Sequence, residues 1–217
     1  MAAVRAAQFF ARHAIRGLDP ATAARVAWDA MEDGITAARE DLRERDYPEL
    51  ARIALKCRGV LLSHELAGRF LDAIYVSGPE GGKVAMPGAR ETLLALRARG
   101  FLLAMVTNRS FGGDRFRSDM VKAGLDIGWD AESVSVEVGY RKPHRRLFEH
   151  ALEHLNVEPA AAMMVGDSLA QDIAGAQRLG MATAWRVSAP DAEGVLPDFT
   201  FDQLPELLDI PLLRGSA

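Results

Sequence analysis

Two aspartates in the second half of the chain, Asp167 and Asp172, are spaced so that their carboxylates can meet at one place. A short apolar run over residues 162–165 precedes them, and a helical stretch and a second apolar run, 181–187, follow. This order predicts a strand, a loop, a helix and a strand, with both acids at the strand edge where open parallel sheets bind ligands. Converging carboxylates repel each other unless a cation or a proton lies between them, so the pair is a candidate cation site. The alternative is that Ser168 caps the helix and Asp172 is solvated in its first turn.

Polar side chains also end two other predicted strands. Thr107 and Asn108 follow an apolar run over residues 101–106, and Lys142 follows a weaker strand signal over residues 133–138. A hydroxyl and backbone N–H groups at a strand end can hold a phosphoryl oxygen, and a lysine neutralises charge on that oxygen and on nearby carboxylates. Each also has a structural alternative, since Thr107 and Asn108 could cap a helix and Lys142 could be a solvated loop residue. Their order and their common sheet edge favour a phosphate site.

The elements that would position these residues alternate between helix and strand from about residue 83 onward. The run 101–106 is short, continuous and flanked by turns, which is typical of a strand buried on both faces of a parallel sheet. This alternation predicts an α/β fold with a right-handed, doubly wound parallel sheet. The intervening helices are predicted at residues 89–99, 116–123 and 147–155, a closing element at 199–208 and a loop at 190–197.

The first part of the chain carries no strand signal. Apolar residues recur at helical intervals over residues 3–15, 50–62 and 64–75, and a further helix begins at Pro20 with Asp19 as its cap. The pair Tyr47-Pro48 is predicted to interrupt the helical pattern, and a Gly/Pro-rich stretch before residue 83 ends it. We therefore predict an α-helical subdomain over residues 1–82 and an α/β core over residues 83–217.

Composition excludes several classes of function. The net charge of -4 and the lack of a long Lys/Arg block give no electrostatic case for binding nucleic acid. No apolar stretch is long enough to span a membrane. The single cysteine, Cys57, rules out an internal disulfide, fits a reducing cytoplasm and is predicted to be a small core residue. We expect a cytoplasmic protein that binds neither nucleic acid nor membranes.

The sequence resembles the haloacid dehalogenase superfamily in three motifs that occur in the family's order. VTN at residues 106–108 is similar to the second motif, RKP at 141–143 to the third, and GDSLAQD at 166–172 to the fourth. The flanking segments PGARETLLALRARG and AGAQRLGM are similar too, so the resemblance covers about residues 86–187. It implies a Rossmann-like core, and the N-terminal helices stand where members with a helical cap carry it.

The resemblance also implies a role for each motif residue. Thr107 would bind the transferring phosphoryl group, Asn108 would position that loop, and Lys142 would steady the nucleophile and the phosphate. Asp167 and Asp172 would bind Mg²⁺ directly or through water. The implied activity is Mg²⁺-dependent hydrolysis of a small phosphorylated metabolite.

The family's first motif, a strand ending in Asp-x-Asp-Gly-Thr, does not occur in these 217 residues. In the family its first aspartate forms an aspartyl-phosphate and binds Mg²⁺, and its second is a general acid and base. The nearest string is WDAMEDG at residues 28–34, whose two aspartates lie four residues apart in a helical pattern. Helical spacing does not present two acids at a strand end, so we expect little or no phosphatase activity from this chain alone.

The absent motif has a structural counterpart. In the family its strand lies between the strands that end at Thr107 and Asp167, so its loss would leave a gap of roughly 10 Å with unpaired backbone on both sides. A native core rarely tolerates such a gap, which favours a sequence that starts too late, through a misassigned start or a truncation. A shortened or non-catalytic paralogue is the second explanation.

Two other functions stay open. Haloacid dehalogenation shares the fold and needs no metal, although the acidic pair Asp167 and Asp172 favours the metal-using branch. A non-catalytic protein could use the remaining motifs to bind phosphate or a partner. The sequence identifies neither the substrate nor the oligomeric state.

Overall fold

A computed structural model describes residues 1–187 and 194–214, and it divides the chain into two compact units, Met1–Lys83 and Val84–Ala217. The division lies one residue from the boundary predicted after residue 82. Residues 190–193 of the predicted loop 190–197 lie outside the described residues.

The first unit is built from helices, and its described residues contain no strand. The helices are α1 (Ala2–Arg12), α2 (Pro20–Asp41), α3 (Tyr47–Lys56) and α4 (His64–Ile74). The predicted Asp19 cap is confirmed, because its carboxylate accepts a hydrogen bond from the Thr22 N–H at 2.9 Å. The predicted interruption of the helical pattern is confirmed, since residues 42–46 separate α2 from α3. The pair begins α3, since a proline in the first turn needs no partner for its nitrogen and Asp46 caps the Glu49 N–H at 3.0 Å.

The second unit alternates helices and strands, as the sequence predicts. Its strands are β1 (Ala104–Thr107), β2 (Ala131–Val134), β3 (Met163–Gly166), β4 (Ala182–Arg186) and β5 (Phe199–Phe201). Its helices are α5 (Ala89–Ala98), α6 (Gly113–Lys122), α7 (Ser135–Val138), α8 (Arg145–Leu155) and α9 (Ala174–Gln177), with a π-helical turn at Leu169–Ile173 and 3₁₀ turns at Pro159–Ala161, Leu204–Asp209 and Pro211–Leu213. The predicted strand 133–138 is partly wrong, because β2 ends at Val134 and the chain then forms the short helix α7.

The strands form two parallel sheets. One contains β1 and β2, with Thr107 opposite Val134, and the other has the order β3-β4-β5, with Gly166 opposite Trp185. Parallel strands with helical connections confirm the predicted α/β fold class. In the described residues β1 and β3 do not pair with each other, so the sheet is divided at the place where loss of the first motif's strand was expected to leave a gap.

An apolar groove separates the two sheets. We call it the β1–β3 groove: a cavity of about 770 Å³ lined by β1 residues 104–106, by β3 (Met163–Gly166), and by Lys142, Asp167 and Asp172. All four residues of β1 are only half-buried, as are three of the four in β3. The prediction of a strand buried on both faces is therefore wrong for β1, because one of its edges borders open space instead of another strand.

Cys57 is exposed, so its predicted place in the core is wrong; it follows α3 directly, and Leu55 fills the buried position there. None of the helices in the described residues is both long and apolar enough to cross a membrane. A cytoplasmic location stays a prediction.

Asp130 fixes the segment that leads into β1. Its carboxylate accepts a hydrogen bond from the Leu103 N–H at 2.7 Å and forms an ion pair with Arg97 at 3.0 Å. These contacts, the Leu103 N–H foremost, lower the pKa of the Asp130 carboxyl from its usual value. A carboxyl whose pKa is lower in the folded protein stabilises it above the unfolded-state pKa, and that contribution is lost as the pH falls through the folded-state pKa.

We expect Asp130→Asn to lower the free energy of unfolding near neutral pH by about 1–2 kcal/mol, because the charged acceptor of the Leu103 N–H is lost. The difference from wild type should begin to shrink as the pH falls below about 4, the usual pKa of an unfolded aspartate, and should disappear only below the lowered folded-state pKa. Urea unfolding near pH 7 and near pH 3 measures both effects. Asp126→Asn, at an exposed carboxylate of the same loop, is the control, and an equal loss in the two variants would contradict the assignment.

Candidate functional site

Lys142 lies between the carboxyl ends of two strands that belong to different sheets. Its Nζ donates a hydrogen bond to the Val106 carbonyl oxygen at 2.8 Å, and Asp172 Oδ1 forms an ion pair with the same nitrogen at 2.7 Å. The Lys142 and Asp172 side chains are only 13% and 5% exposed. Charges so far from water are retained only with a partner, so the pair ties the end of β1 to the loop after β3.

Asp172 is buried, so the alternative that it is a solvated first-turn residue is wrong. Its Oδ2 accepts hydrogen bonds from the N–H groups of Asp167 and Ser168, both at 3.1 Å. A Cβ atom on Gly166 would lie 2.3 Å from the same oxygen, so this approach requires glycine. The predicted Ser168 cap is confirmed, since its hydroxyl accepts a hydrogen bond from the Gln171 N–H at 3.2 Å.

Asn108 connects all three motifs. Its Oδ1 accepts a hydrogen bond from the Lys142 N–H at 2.7 Å, and its Nδ2 donates to the Lys142 carbonyl at 3.3 Å and to Gln171 Oε1 at 3.0 Å. The amide therefore fixes the backbone that carries Lys142 and holds it beside the loop after β3. Gln171 was not among the predicted site residues, and its place inside the string GDSLAQD was the signal that could have found it.

Thr107 is the last residue of β1 and is half-buried. Both of its neighbours, Val106 and Asn108, contact Lys142, so Thr107 lies at the same sheet edge. Within residues 1–187 and 194–214 its hydroxyl has no hydrogen-bond partner. The hydroxyl is therefore available to a ligand at this edge.

Asp167 differs from Asp172 in its environment. Its side chain is 65% exposed, and Oδ2 lies 3.5 Å from the Arg186 guanidinium. Its backbone carbonyl accepts a hydrogen bond from the Trp185 indole N–H at 3.2 Å, which holds the loop while the carboxylate faces solvent. The two acids of the fourth motif thus have different environments, since Asp172 is buried and Asp167 is exposed.

The described residues do not form a complete Mg²⁺ site. They contain no group of three or more His, Cys, Asp or Glu side chains arranged to hold a metal ion. Both oxygens of Asp172 already face donors, and Asp167 is the solvent-exposed carboxylate of the pair. Mg²⁺ needs near-octahedral oxygen coordination, and a single exposed carboxylate supplies little of it.

A buried serine that the sequence analysis missed supports the loop after Asn108. The Ser135 hydroxyl accepts a hydrogen bond from the Arg109 N–H at 2.9 Å and donates one to the Arg109 carbonyl at 3.2 Å. The Arg109 guanidinium in turn lies 2.6 Å from buried Asp119 on α6. Because residues 133–138 were predicted to be a strand, Ser135 was not considered a site residue. Its contact with Arg109 depends on the start of α7 directly after β2.

Asp172 and Asp167 allow a matched test of how much the buried ion pair stabilises the fold. We expect Asp172→Asn to lower the free energy of unfolding by about 3 kcal/mol, since it leaves the Lys142 ammonium buried without its counter-charge. Asp167→Asn, the same change at an exposed carboxylate, should cost less than about 0.5 kcal/mol. Urea unfolding of both variants makes the comparison. Similar losses in the two would show that the Lys142–Asp172 pair does not stabilise the fold.

Comparisons with known proteins agree on one family. A model of the haloacid dehalogenase-like hydrolase family matches residues 19–180. A glyceraldehyde 3-phosphate phosphatase of Pyrococcus furiosus is 35% identical over 132 residues, which are 58% of this chain and 53% of that protein. A phosphoserine phosphatase of Thermus thermophilus is 37% identical over 123 residues, 56% of this chain and 49% of that protein. The chain spans about half the length of these curated relatives.

Solved structures share the fold. A HAD phosphatase from Thermococcus onnurineus aligns with a TM-score of 0.55 and 25% identity over 96% of this chain and 87% of its own. A 2-haloacid dehalogenase from Pseudomonas syringae aligns with a TM-score of 0.64 and 23% identity over 88% of this chain and 80% of its own. The family match covers well over half of the sequence and includes the three ordered motifs, so the resemblance is confirmed: the chain belongs to the haloacid dehalogenase-like hydrolase family.

Proposed function

We propose that the edge around Lys142 is the phosphoryl site of a phosphomonoester hydrolase. The observation that carries the proposal is the position of Lys142 Nζ, which contacts the end of β1 and the loop after β3 at once. One cation therefore stands where the second, third and fourth motifs meet. Anions are stabilised most by donors already fixed in place, and the surrounding hydrogen bonds fix this one.

Each nearby residue has a distinct part in this proposal. The Thr107 hydroxyl donates to a phosphoryl oxygen, and the Lys142 ammonium neutralises charge on it. Asn108 acts through Lys142, because it holds that residue's N–H and carbonyl and leaves the ammonium aimed at the sheet edge. Relatives named as phosphatases of glyceraldehyde 3-phosphate and phosphoserine support a small phosphorylated metabolite as the substrate.

The metal in this proposal is Mg²⁺, and the exposed carboxylate of Asp167 is the residue that would bind it. Asp172 contributes less than the family resemblance implies, because the amides and Lys142 already occupy its oxygens. A bound Mg²⁺ would neutralise charge on the phosphoryl group. Further oxygen ligands must come from the phosphate, from water or from groups outside the described residues.

Among the described residues at this edge, neither aspartate is placed to act as the attacking carboxylate. Asp172 is held in an ion pair with Lys142, and Asp167 is on the loop that would face the metal. An activated nucleophile must lie within reach of the phosphorus and must not be neutralised by a fixed counter-charge. We therefore propose that the 217-residue chain binds phosphate but turns over phosphomonoesters slowly or not at all. The first unit, Met1–Lys83, is proposed as the helical cap.

Two other functions can be distinguished from this one by experiment. Metal-independent dehalogenation would release halide from 2-haloacids in the presence of a chelator. A solved 2-haloacid dehalogenase has this fold. A non-catalytic phosphate-binding protein is favoured by the combination of an intact Lys142 site and no Asp-x-Asp motif in the sequence.

The purified chain is expected to hydrolyse p-nitrophenyl phosphate with Mg²⁺ no faster than the buffer does. The physical reason is that the site offers electrostatic stabilisation without a covalent acceptor. Release of p-nitrophenol with Mg²⁺ and with EDTA measures this, and Lys142→Met serves to assign any residual rate to the site. Robust Mg²⁺-dependent turnover that Lys142→Met abolishes would overturn the proposal that the nucleophile is lacking.

Phosphate binding tests the site itself. We expect saturable 1:1 binding of inorganic phosphate by calorimetry, weakened about tenfold in Lys142→Met because one charge-assisted hydrogen bond is lost. Lys142→Arg keeps the charge and should retain most of the affinity, which separates the effect of charge from a loss of folding. Lys122→Met, an exposed lysine on α6, is the matched control. Equal affinities in Lys142→Met and wild type would remove Lys142 from the proposed site.

A further inference from the structure

Two histidines lie on one turn of α8. His150 and His154 are four residues apart in this helix, and their ring centroids are 4.2 Å apart, with 35° between the ring planes. Side chains at this spacing lie on the same helix face, one turn apart. Two imidazoles at this spacing bind a single metal ion in zinc-binding helices. The pair is therefore a candidate metal site.

The two histidines are not part of the core face of α8. The buried residues of this helix are Leu147, Phe148, Ala151 and Leu152. His150 is half-buried and His154 is exposed, so the pair is accessible from solvent. A metal ion bound there can complete its coordination with water molecules.

The hydrogen bond within the pair prepares His154 to bind a metal ion. Its Nδ1 lies 2.7 Å from the His150 carbonyl oxygen. A carbonyl oxygen only accepts hydrogen bonds, so Nδ1 carries the proton and Nε2 keeps its lone pair. Metal-binding histidines commonly donate their other N–H to a carbonyl in this way, which fixes the tautomer and the orientation of the ring.

The His150 ring has a nitrogen without a protein partner. Its Nδ1 is buried and has no hydrogen bond to any of the described residues. Buried polar atoms without a partner are rare in native proteins, and a bound ion is one of the explanations for such an atom. Burial lowers the pKa of His150 and the His154 ring lowers it further, while Glu153 and Glu137 raise it. The neutral imidazole is the form that binds metal ions.

The separation of the rings favours one coordination geometry. A metal ion about 2.1 Å from a ring nitrogen lies roughly 3.2 Å from the centroid of that ring. Two rings in cis positions, about 90° apart at the ion, then have centroids roughly 4.5 Å apart, whereas tetrahedral coordination requires roughly 5.2 Å. The 4.2 Å separation is close to the cis value. Cis coordination is typical of square-planar Cu²⁺ and Ni²⁺, while Zn²⁺ prefers a tetrahedron.

We propose that His150 and His154 form a binding site for one late first-row transition metal ion, with Cu²⁺ and Ni²⁺ as the ions that fit its geometry. The two imidazoles hold the ion and water fills the other positions, because the described residues contain no group of three or more His, Cys, Asp or Glu side chains arranged to hold a metal. His154 lies in the last turn of α8, where the negative end of the helix dipole stabilises a cation. Mg²⁺ prefers oxygen ligands, so this site is distinct from the proposed Mg²⁺ position and does not rest on the proposed function.

Calorimetric titration of the whole chain with Ni²⁺ tests the site. The parent protein carries no polyhistidine tag and has Cys57→Ser, because the exposed thiol also binds such ions. We expect saturable binding of one Ni²⁺ ion. His150→Asn and His154→Asn should each weaken it at least about tenfold, because each removes one arm of the chelate. His154 is exposed, so its variant leaves the core intact, and His64→Asn, at an exposed histidine of α4, is the matched control and should keep the affinity.

Electron paramagnetic resonance of the Cu²⁺ complex counts the coordinating nitrogens directly. We expect a tetragonal spectrum with two imidazole nitrogens in the parent protein and with one in each single variant. Saturating Ni²⁺ should also raise the urea midpoint of unfolding in the parent protein but not in His154→Asn, because the ion binds the folded arrangement of the two rings. Excess Mg²⁺ should leave the Ni²⁺ affinity unchanged.

Three outcomes would overturn the proposal. One is an unchanged Ni²⁺ affinity in both His150→Asn and His154→Asn, or an equal loss of affinity in His64→Asn. Another is a Cu²⁺ spectrum with a single imidazole nitrogen in the parent protein. The third is displacement of Ni²⁺ by Mg²⁺, which would assign the ion to oxygen ligands elsewhere in the chain.

Discussion

One largely buried ammonium group connects parts of the second unit that are far apart in the sequence. Lys142 neutralises Asp172, satisfies the carbonyl that β1 leaves unpaired at Val106, and is held through its own backbone by Asn108. Removing a buried charge from water costs several kcal/mol, so the arrangement persists because each charged or polar atom finds a partner. The same contacts that satisfy the lysine also hold it where an anion would bind.

Close packing around this site restricts two positions to glycine. Gly166 leaves room for the Asp172 carboxylate, and Gly175 lies against the Phe148 ring, where a Cβ would be only 2.7 Å from the ring. Any side chain at either position would displace an element that carries the site. The burial of Asp172 therefore constrains the backbone of the loop after β3, because the carboxylate packs directly against it.

The divided sheet gives the second unit an unusual property. Unpaired strand edges are normally blocked by charge, proline or a covering element, because they invite pairing with other chains. Here two such edges border one groove, and the lysine at its end meets an unpaired carbonyl in place of a neighbouring strand. The half-buried side chains of β1 and β3 follow from this, since each strand has a neighbour on one side only in the described residues.

Local sequence determined the elements whose stability is local: the Asp19 and Ser168 caps, the helical first unit and the order of strands and helices all follow from patterns within a few residues. Motif order was enough to place Thr107, Asn108, Lys142 and Asp172 at one edge, because carboxyl ends of parallel strands meet. Only the tertiary structure decided that Asp172 is buried and Asp167 exposed, that Ser135 and Gln171 contact the loops of the site, and that β1 borders a groove. Burial and strand pairing depend on residues that are distant in the chain. A pattern of apolar and polar residues therefore does not show which strand edge pairs with another strand.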